Sequence, residues 1–183
     1  LQVRYMPIQG ESFLTIALEN PGASADQGVY SERVELQNVD AKFPLPDLTA
    51  QYRSGHDWGY VQLGGIVRRV EWEDNNPDAF DFSGDATGWG LSLSSNIKIQ
   101  KDVIRLQGVY GEGIQNYMND APVDIGIQNN FSDPVSPIIG VALPMWSMVA
   151  FWDHTWSDKW TSSLGGSYLE IDNSDGQSAD AFH

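Results

Sequence analysis

Gly88-Trp89-Gly90-Leu91-Ser92-Leu93-Ser94-Ser95-Asn96-Ile97-Lys98-Ile99 is the stretch that decides the fold class. Trp89, Leu91, Leu93, Ile97 and Ile99 fall on one parity, and Gly90, Ser92, Ser94, Asn96 and Lys98 on the other. A strand of this sequence has one apolar and one polar face, whereas a helix would scatter both sets around its circumference. The pattern recurs outward from there. Ile104, Leu106 and Tyr110 oppose Arg105 and Gln107; Leu14, Ile16 and Leu18 oppose Thr15 and Glu19; Leu48, Ala50 and Tyr52 oppose Thr49, Gln51 and Arg53. Adding residues 3–8, 58–72, 146–156 and 159–171 gives about eight strands of an all-β, antiparallel chain.

Composition agrees with this reading. Seven Trp, seven Tyr, seven Phe and eighteen Gly among 183 residues favour twisted strands with many turns. No window approaches the apolar length of a membrane-spanning helix. Twenty-five acidic against ten basic residues give a net charge of −15, which repels a phosphate backbone and argues against nucleic acid. The absence of cysteine excludes disulfides, thiol nucleophiles and cysteine metal sites. Residues 1–183 read as a single β-barrel segment, expected to be a fragment of a longer barrel because the chain starts at Leu1 and stops inside a polar stretch.

Connections alternate in length. Residues 9–12, 55–57, 100–101 and 157–158 are short, while 21–46, 73–86 and 112–145 are long. Tight turns on one side and long loops on the other are the rhythm of an outer-membrane barrel. Trp58 and Trp72 bracket one strand, and fourteen steps tilted by about 45° place them roughly 33 Å apart along a membrane normal. Trp58, Trp72, Trp89, Trp156 and Trp160 are thus the expected membrane-interface aromatics. On the same parity argument Arg53, Arg68, Lys98 and Arg105, with Gln51, Gln62 and Gln107, line the polar wall of a lumen. Most acids sit in the loops, so the wall is expected to select small organic anions. Arg69 falls on the apolar parity, which demands snorkelling or a bulge. Residues 112–145, carrying the constriction candidates Asp120, Asp124 and Asp133, are expected to fold inward, since Pro137 to Pro144 is too apolar for a free loop.

Two stretches carry a family resemblance: Phe43-Pro44-Leu45-Pro46-Asp47-Leu48-Thr49-Ala50-Gln51-Tyr52-Arg53, and Trp58-Gly59-Tyr60-Val61-Gln62-Leu63-Gly64-Gly65-Ile66-Val67-Arg68. With Gly88-Trp89-Gly90-Leu91, residues 107–113 and His154-Thr155-Trp156-Ser157, the chain resembles the DcaP-like outer-membrane porins of Gram-negative bacteria. That resemblance implies an antiparallel transmembrane β-barrel of sixteen strands, assembled as a homotrimer in the outer membrane. It further implies passive diffusion of small hydrophilic solutes, with dicarboxylates as the solute class.

Catalytic and metal motifs are missing. Asp74 to Asp85 opens like a calcium loop, but Ala79 stands where the turn needs glycine and Asp85 where a bidentate glutamate belongs. His56, His154 and His183 share no ligand spacing. No metal, no cofactor and no enzymatic activity are expected. The alternative reading is a soluble β-sandwich that binds or acts on carbohydrate, its carboxylates clustering in loops rather than converging. An eight-stranded closed barrel with a filled interior is a third architecture.

Overall fold

The alternating segments pair as nearest neighbours in one antiparallel meander. In the computed structural model, which describes residues 2–119 and 121–177, its strands are β1 (Gln2–Ile8), β2 (Phe13–Glu19), β4 (Asp47–His56), β5 (Gly59–Asp74), β6 (Gly84–Ile99), β7 (Asp102–Glu112), β10 (Pro144–Ser157) and β11 (Trp160–Ile171). Three shorter strands lie where the sequence suggests only connections. β3 (Val39–Lys42) pairs with the far end of β5, and β8 (Ile125–Asn129) pairs with β9 (Ile138–Ala142) in a separate two-stranded sheet.

Turn chemistry sets the register. Gly59 closes the β4–β5 hairpin at a φ of +138°, and a Cβ there would lie 1.8 Å from the Asn96 carbonyl oxygen. Only glycine fits a backbone so close to its neighbour. From that turn the β5–β6 ladder runs without a slip from Gly59↔Ile97 to Trp72↔Gly84. Arg69 therefore stands on the apolar parity without a bulge. Half-buried Glu71 and exposed Asp85 hold it there, with Nε 2.5 Å from Glu71 and a second nitrogen 3.3 Å from Asp85.

Cross-strand rows define two unlike faces. One row runs Leu14–Tyr52–Leu63–Leu93–Gly108–Met148–Tyr168 and the next Ile16–Ala50–Gly65–Leu91–Tyr110–Trp146. Ile16, Leu63, Leu93 and Met148 are exposed, so this apolar face has no cover within the described residues. A contiguous apolar surface of this kind marks an interaction face. The opposite face carries the rows Phe13–Arg53–Gln62–Ser94–Gln107–Val149 and Thr15–Gln51–Gly64–Ser92–Val109–Ser147. The long connections lie back over this second face. Val109, Met145 and Ile171 of the sheet bury themselves there against Ile114, Val123 and Leu143. A second cluster of Leu36, Phe82 and Ile138 packs beneath β9.

The molecule is all-β with two open antiparallel sheets. Among the described residues β1 and β11 each pair with one neighbour, and no ladder joins them. This open edge overturns the closed transmembrane β-barrel and everything that depends on it: the porin channel, the trimer, the lipid bilayer as partner, the outer-membrane location and the uptake of small organic anions such as dicarboxylates. The physical reason lies in what alternation encodes. Period two fixes which residues share a face and carries no information about what lies against it. The long connections, whose length suggests extracellular loops, are the covering layer of the sheet. No helix among the described residues is long and apolar enough to cross a membrane.

Candidate functional site

A groove of about 390 Å³ runs between the polar face of β2, β4, β5, β6 and β7 and the segment that follows β7. Its walls set the uncharged polar side chains of Thr15, Gln51, Gln62, Ser92 and Gln107 beside the apolar ones of Ile66, Val109, Ile114 and Met118, with Tyr117 closing one side. Strand periodicity alone brings these residues together. They come from five strands, and each has the parity of the covered face. Gly64, Gly65 and Gly90 also line the groove and leave it broad. Arg4 and Glu19 stand at one end with opposite charges. Within the groove Gln62 Nε2 donates to Gln51 Oε1 at 3.3 Å, and Arg53 Nε donates to Gln62 Oε1 at 2.9 Å. Thr15 Oγ1 is buried with no hydrogen-bond partner among the described residues. A buried hydroxyl in that state costs free energy until a ligand or water satisfies it.

The residues expected on an anion-selective wall share one face but not one environment. Arg53 is stacked, its guanidinium 3.8 Å from the Tyr60 ring centroid and 5.1 Å from that of Phe13. Arg105 Nε donates to Asp153 Oδ2 at 2.6 Å. Ser163 and then Arg105 hold the Asp153 carboxyl below the ordinary carboxylate range. Lys98 is exposed near the β6–β7 turn. Arg68 has no exposed side-chain surface at all.

Arg68 joins the sheet to its cover. Its Nε lies 3.3 Å from Asp47 Oδ2, and one terminal nitrogen donates to Asp124 Oδ1 at 3.2 Å and to the Gly113 carbonyl at 3.2 Å. The other donates to the Gly22 carbonyl. Asp124 also accepts from the backbone N–H groups of Ser24 (2.9 Å) and Asn116 (3.0 Å). Tyr117 donates to Asp47 Oδ2 at 2.7 Å, and burial followed by this hydrogen bond pushes the phenol well above its ordinary pKa. Parity reveals that Arg68 faces the polar side; its carboxylate partners, one at a strand start and one in a loop, share no spacing with it.

The remaining candidates are dispersed. Asp133 is exposed and accepts from the N–H groups of Val135 and Ser136. Asp120 and His183 lie outside the described residues. Trp72 and Trp89 sit on opposite faces of the sheet, so they form no common belt: Trp72 Nε1 donates to the Phe82 carbonyl at 2.7 Å and Trp89 Nε1 to Glu112 at 2.7 Å. Trp58 stacks on His56 with ring centroids 5.0 Å apart. Trp156 and Trp160 are exposed at the β10–β11 turn. Asp74 Oδ1 accepts from Asn76 and Oδ2 from the Phe82 N–H, which explains that loop as a set of local turns.

Asp102 and His154 form a pair that the sequence spacing hides. His154 Nδ1 donates to Asp102 Oδ1 at 2.8 Å, and Trp152 Nε1 donates to Oδ2 at 3.0 Å. The His154 hydrogen bond holds the Asp102 carboxyl below its ordinary value of 3.8. A depressed pKa in the folded chain stabilises it above the unfolded value and loses that stabilisation as pH falls through the folded one. The thermal midpoint of Asp102→Asn should therefore lie below that of the parent by a constant margin above about pH 5 and converge on it under pH 3.8. A margin that ignores pH down to pH 2 would show that the carboxylate charge contributes nothing.

Comparison with known proteins adds no family. No protein-family model, no curated protein and no solved structure matches this chain, so the resemblance to DcaP-like porins is not upheld.

Proposed function

We propose that this domain binds a neutral, polyhydroxylated ligand of the saccharide class in the groove between the polar sheet face and its cover. The observation that carries this reading is the row of glutamine amides, Gln51, Gln62 and Gln107, set beside Thr15 and Ser92 in one groove. A carboxamide offers a donor and an acceptor side by side, and a sugar hydroxyl does the same, so an array of amides satisfies several hydroxyls without burying net charge. The volume of about 390 Å³ falls in the usual range for small-molecule sites. Tyr117 supplies an aromatic side for the apolar C–H face of a sugar ring.

Charge placement favours a neutral ligand over an acid. Arg4 and Glu19 bring one charge of each sign to the lining, and Arg53 already engages Gln62 and two aromatic rings. Binding is favoured over hydrolysis because Glu19 is the one carboxylate among the described residues that line the groove, and glycoside cleavage ordinarily needs two. A glycan array probed with the full chain should return a saccharide whose affinity falls roughly tenfold or more in Gln51→Leu/Gln62→Leu, each lost hydrogen bond costing about 0.5–1.5 kcal/mol. Retention of no saccharide, or equal affinity in the double variant, would overturn the reading.

A further inference from the structure

A second, separate cavity of about 150 Å³ opens under β9, and its lining is far more apolar than that of the groove. The floor is Val70 and Trp72 of β5 with Phe82, Ile125 and Ile138. Four of these five are nearly closed to solvent, at 4% for Val70, 6% for Phe82, 5% for Ile125 and 3% for Ile138. The lips are small. Ala23 and Ala25 come from one side, where Ala25 bridges Ile125, and Ala41 of β3 comes from the other. Large side chains below and alanines above leave a slot, where one bulky residue at a lip would have filled it.

The slot has little to hold water. Trp72 Nε1 is committed to the Phe82 carbonyl, so the indole presents carbon to the cavity. Gly140 lets that ring lie flush against β9, since a Cβ there would come within 2.5 Å of Cζ2. The polar groups at the mouth have partners in the chain: Gln27 Nε2 donates to the Leu36 carbonyl, Gln177 Nε2 donates to Asp26, and Glu71 pairs with Arg69. An ordered water needs two to four polar partners, and an apolar cavity of roughly 150 Å³ stays dry and accepts a benzene-sized guest. The carboxylates of Asp26 and Glu71 at the rim repel an anionic guest.

We propose that this slot is a binding site for small neutral ring compounds of roughly six to eight heavy atoms. It is independent of the saccharide groove. Toluene titrated into the full chain and followed by ligand-observed NMR should bind saturably, and benzoate roughly tenfold or more weakly. Ala25→Phe and Ala41→Phe each place a ring in the slot, and each should reduce toluene affinity roughly tenfold or more while keeping the circular dichroism spectrum. A variant that fails to fold is identified by that spectrum, and the other then decides. Absence of saturable toluene binding, equal binding of benzoate, or unchanged affinity in the folded variant would overturn the site. The last of these would place the toluene on the exposed apolar face.

Discussion

Arg68→Met should destabilise the chain by about 3–5 kcal/mol, the usual cost of leaving buried charges unpaired. Arg68, Asp47 and Asp124 have no exposed side-chain surface, so removing the guanidinium strands two carboxylates away from water. The damage should be local at first. Gly113, Gly22 and Asp124 belong to the covering segments, and Arg68 is the sheet residue that binds all three. Urea unfolding would give the loss in stability, and limited proteolysis should cut residues 114–143 faster in the variant. Arg68→Lys should recover only part of the loss, because one ammonium cannot span partners that a planar guanidinium reaches together. A loss under about 1 kcal/mol in the Met variant would mean that water already reaches the cluster.

Leu143→Ala should cost about 2–5 kcal/mol, toward the upper end of that range. Leu143 is fully buried between the sheet and its cover. The surroundings cannot collapse into the void, because the Leu143 backbone is fixed by hydrogen bonds from Gly113 and Gln115 and to Asp124. Gly126 also packs closely on the leucine, since a Cβ there would fall 2.6 Å from Cδ2. Ile16→Ala is the control. Ile16 is 40% exposed on the apolar face, so its loss should cost less than about 1 kcal/mol. Equal costs at the two positions would show that the apolar face is buried in solution.

What the sequence made legible was parity. Thr15 against Ile16, Gln62 against Leu63 and Ser92 against Leu93 are assigned to opposite faces by alternation alone, and the ladders place them so. The starts of β2 and β7 were readable to the residue, because the short connections 9–12 and 100–101 end just before them. The apolar stretch from Pro137 to Pro144 was readable as a segment that must be covered, and Ile138–Ala142 forms β9 over the sheet. Its pairing with Ile125–Asn129 was not, since two five-residue segments separated by a loop carry too few positions for a period to emerge. The same holds for β3, four residues long and paired with a partner about thirty positions away.

The closure of the sheet and the identity of the cover were beyond sequence reasoning for a different reason. Alternating apolar residues suit lipid, a second sheet or a packed loop equally well, and the choice depends on contacts distant in sequence. Arg68 shows this at one residue: its parity is that of Arg53 and Arg105, yet Asp47, Asp124 and two loop carbonyls enclose it. The proposed ligand groove has the same character. Gln51, Gln62 and Gln107 are readable one by one as polar-face residues, but only the fold over of residues 114–118 makes them the wall of a single groove.

The most direct test of that groove is a side-chain amide titration. In a ¹H–¹⁵N spectrum of the full chain, the NH₂ resonances of Gln51, Gln62 and Gln107 should shift together with one saturating curve as the saccharide selected by the array is added. Those of Asn38 and Asn75, exposed on the far loops, should stay in place. Saccharide binding that leaves the three glutamine amides unmoved, or that shifts the distant asparagines equally, would contradict the assignment of the polar face as the ligand site.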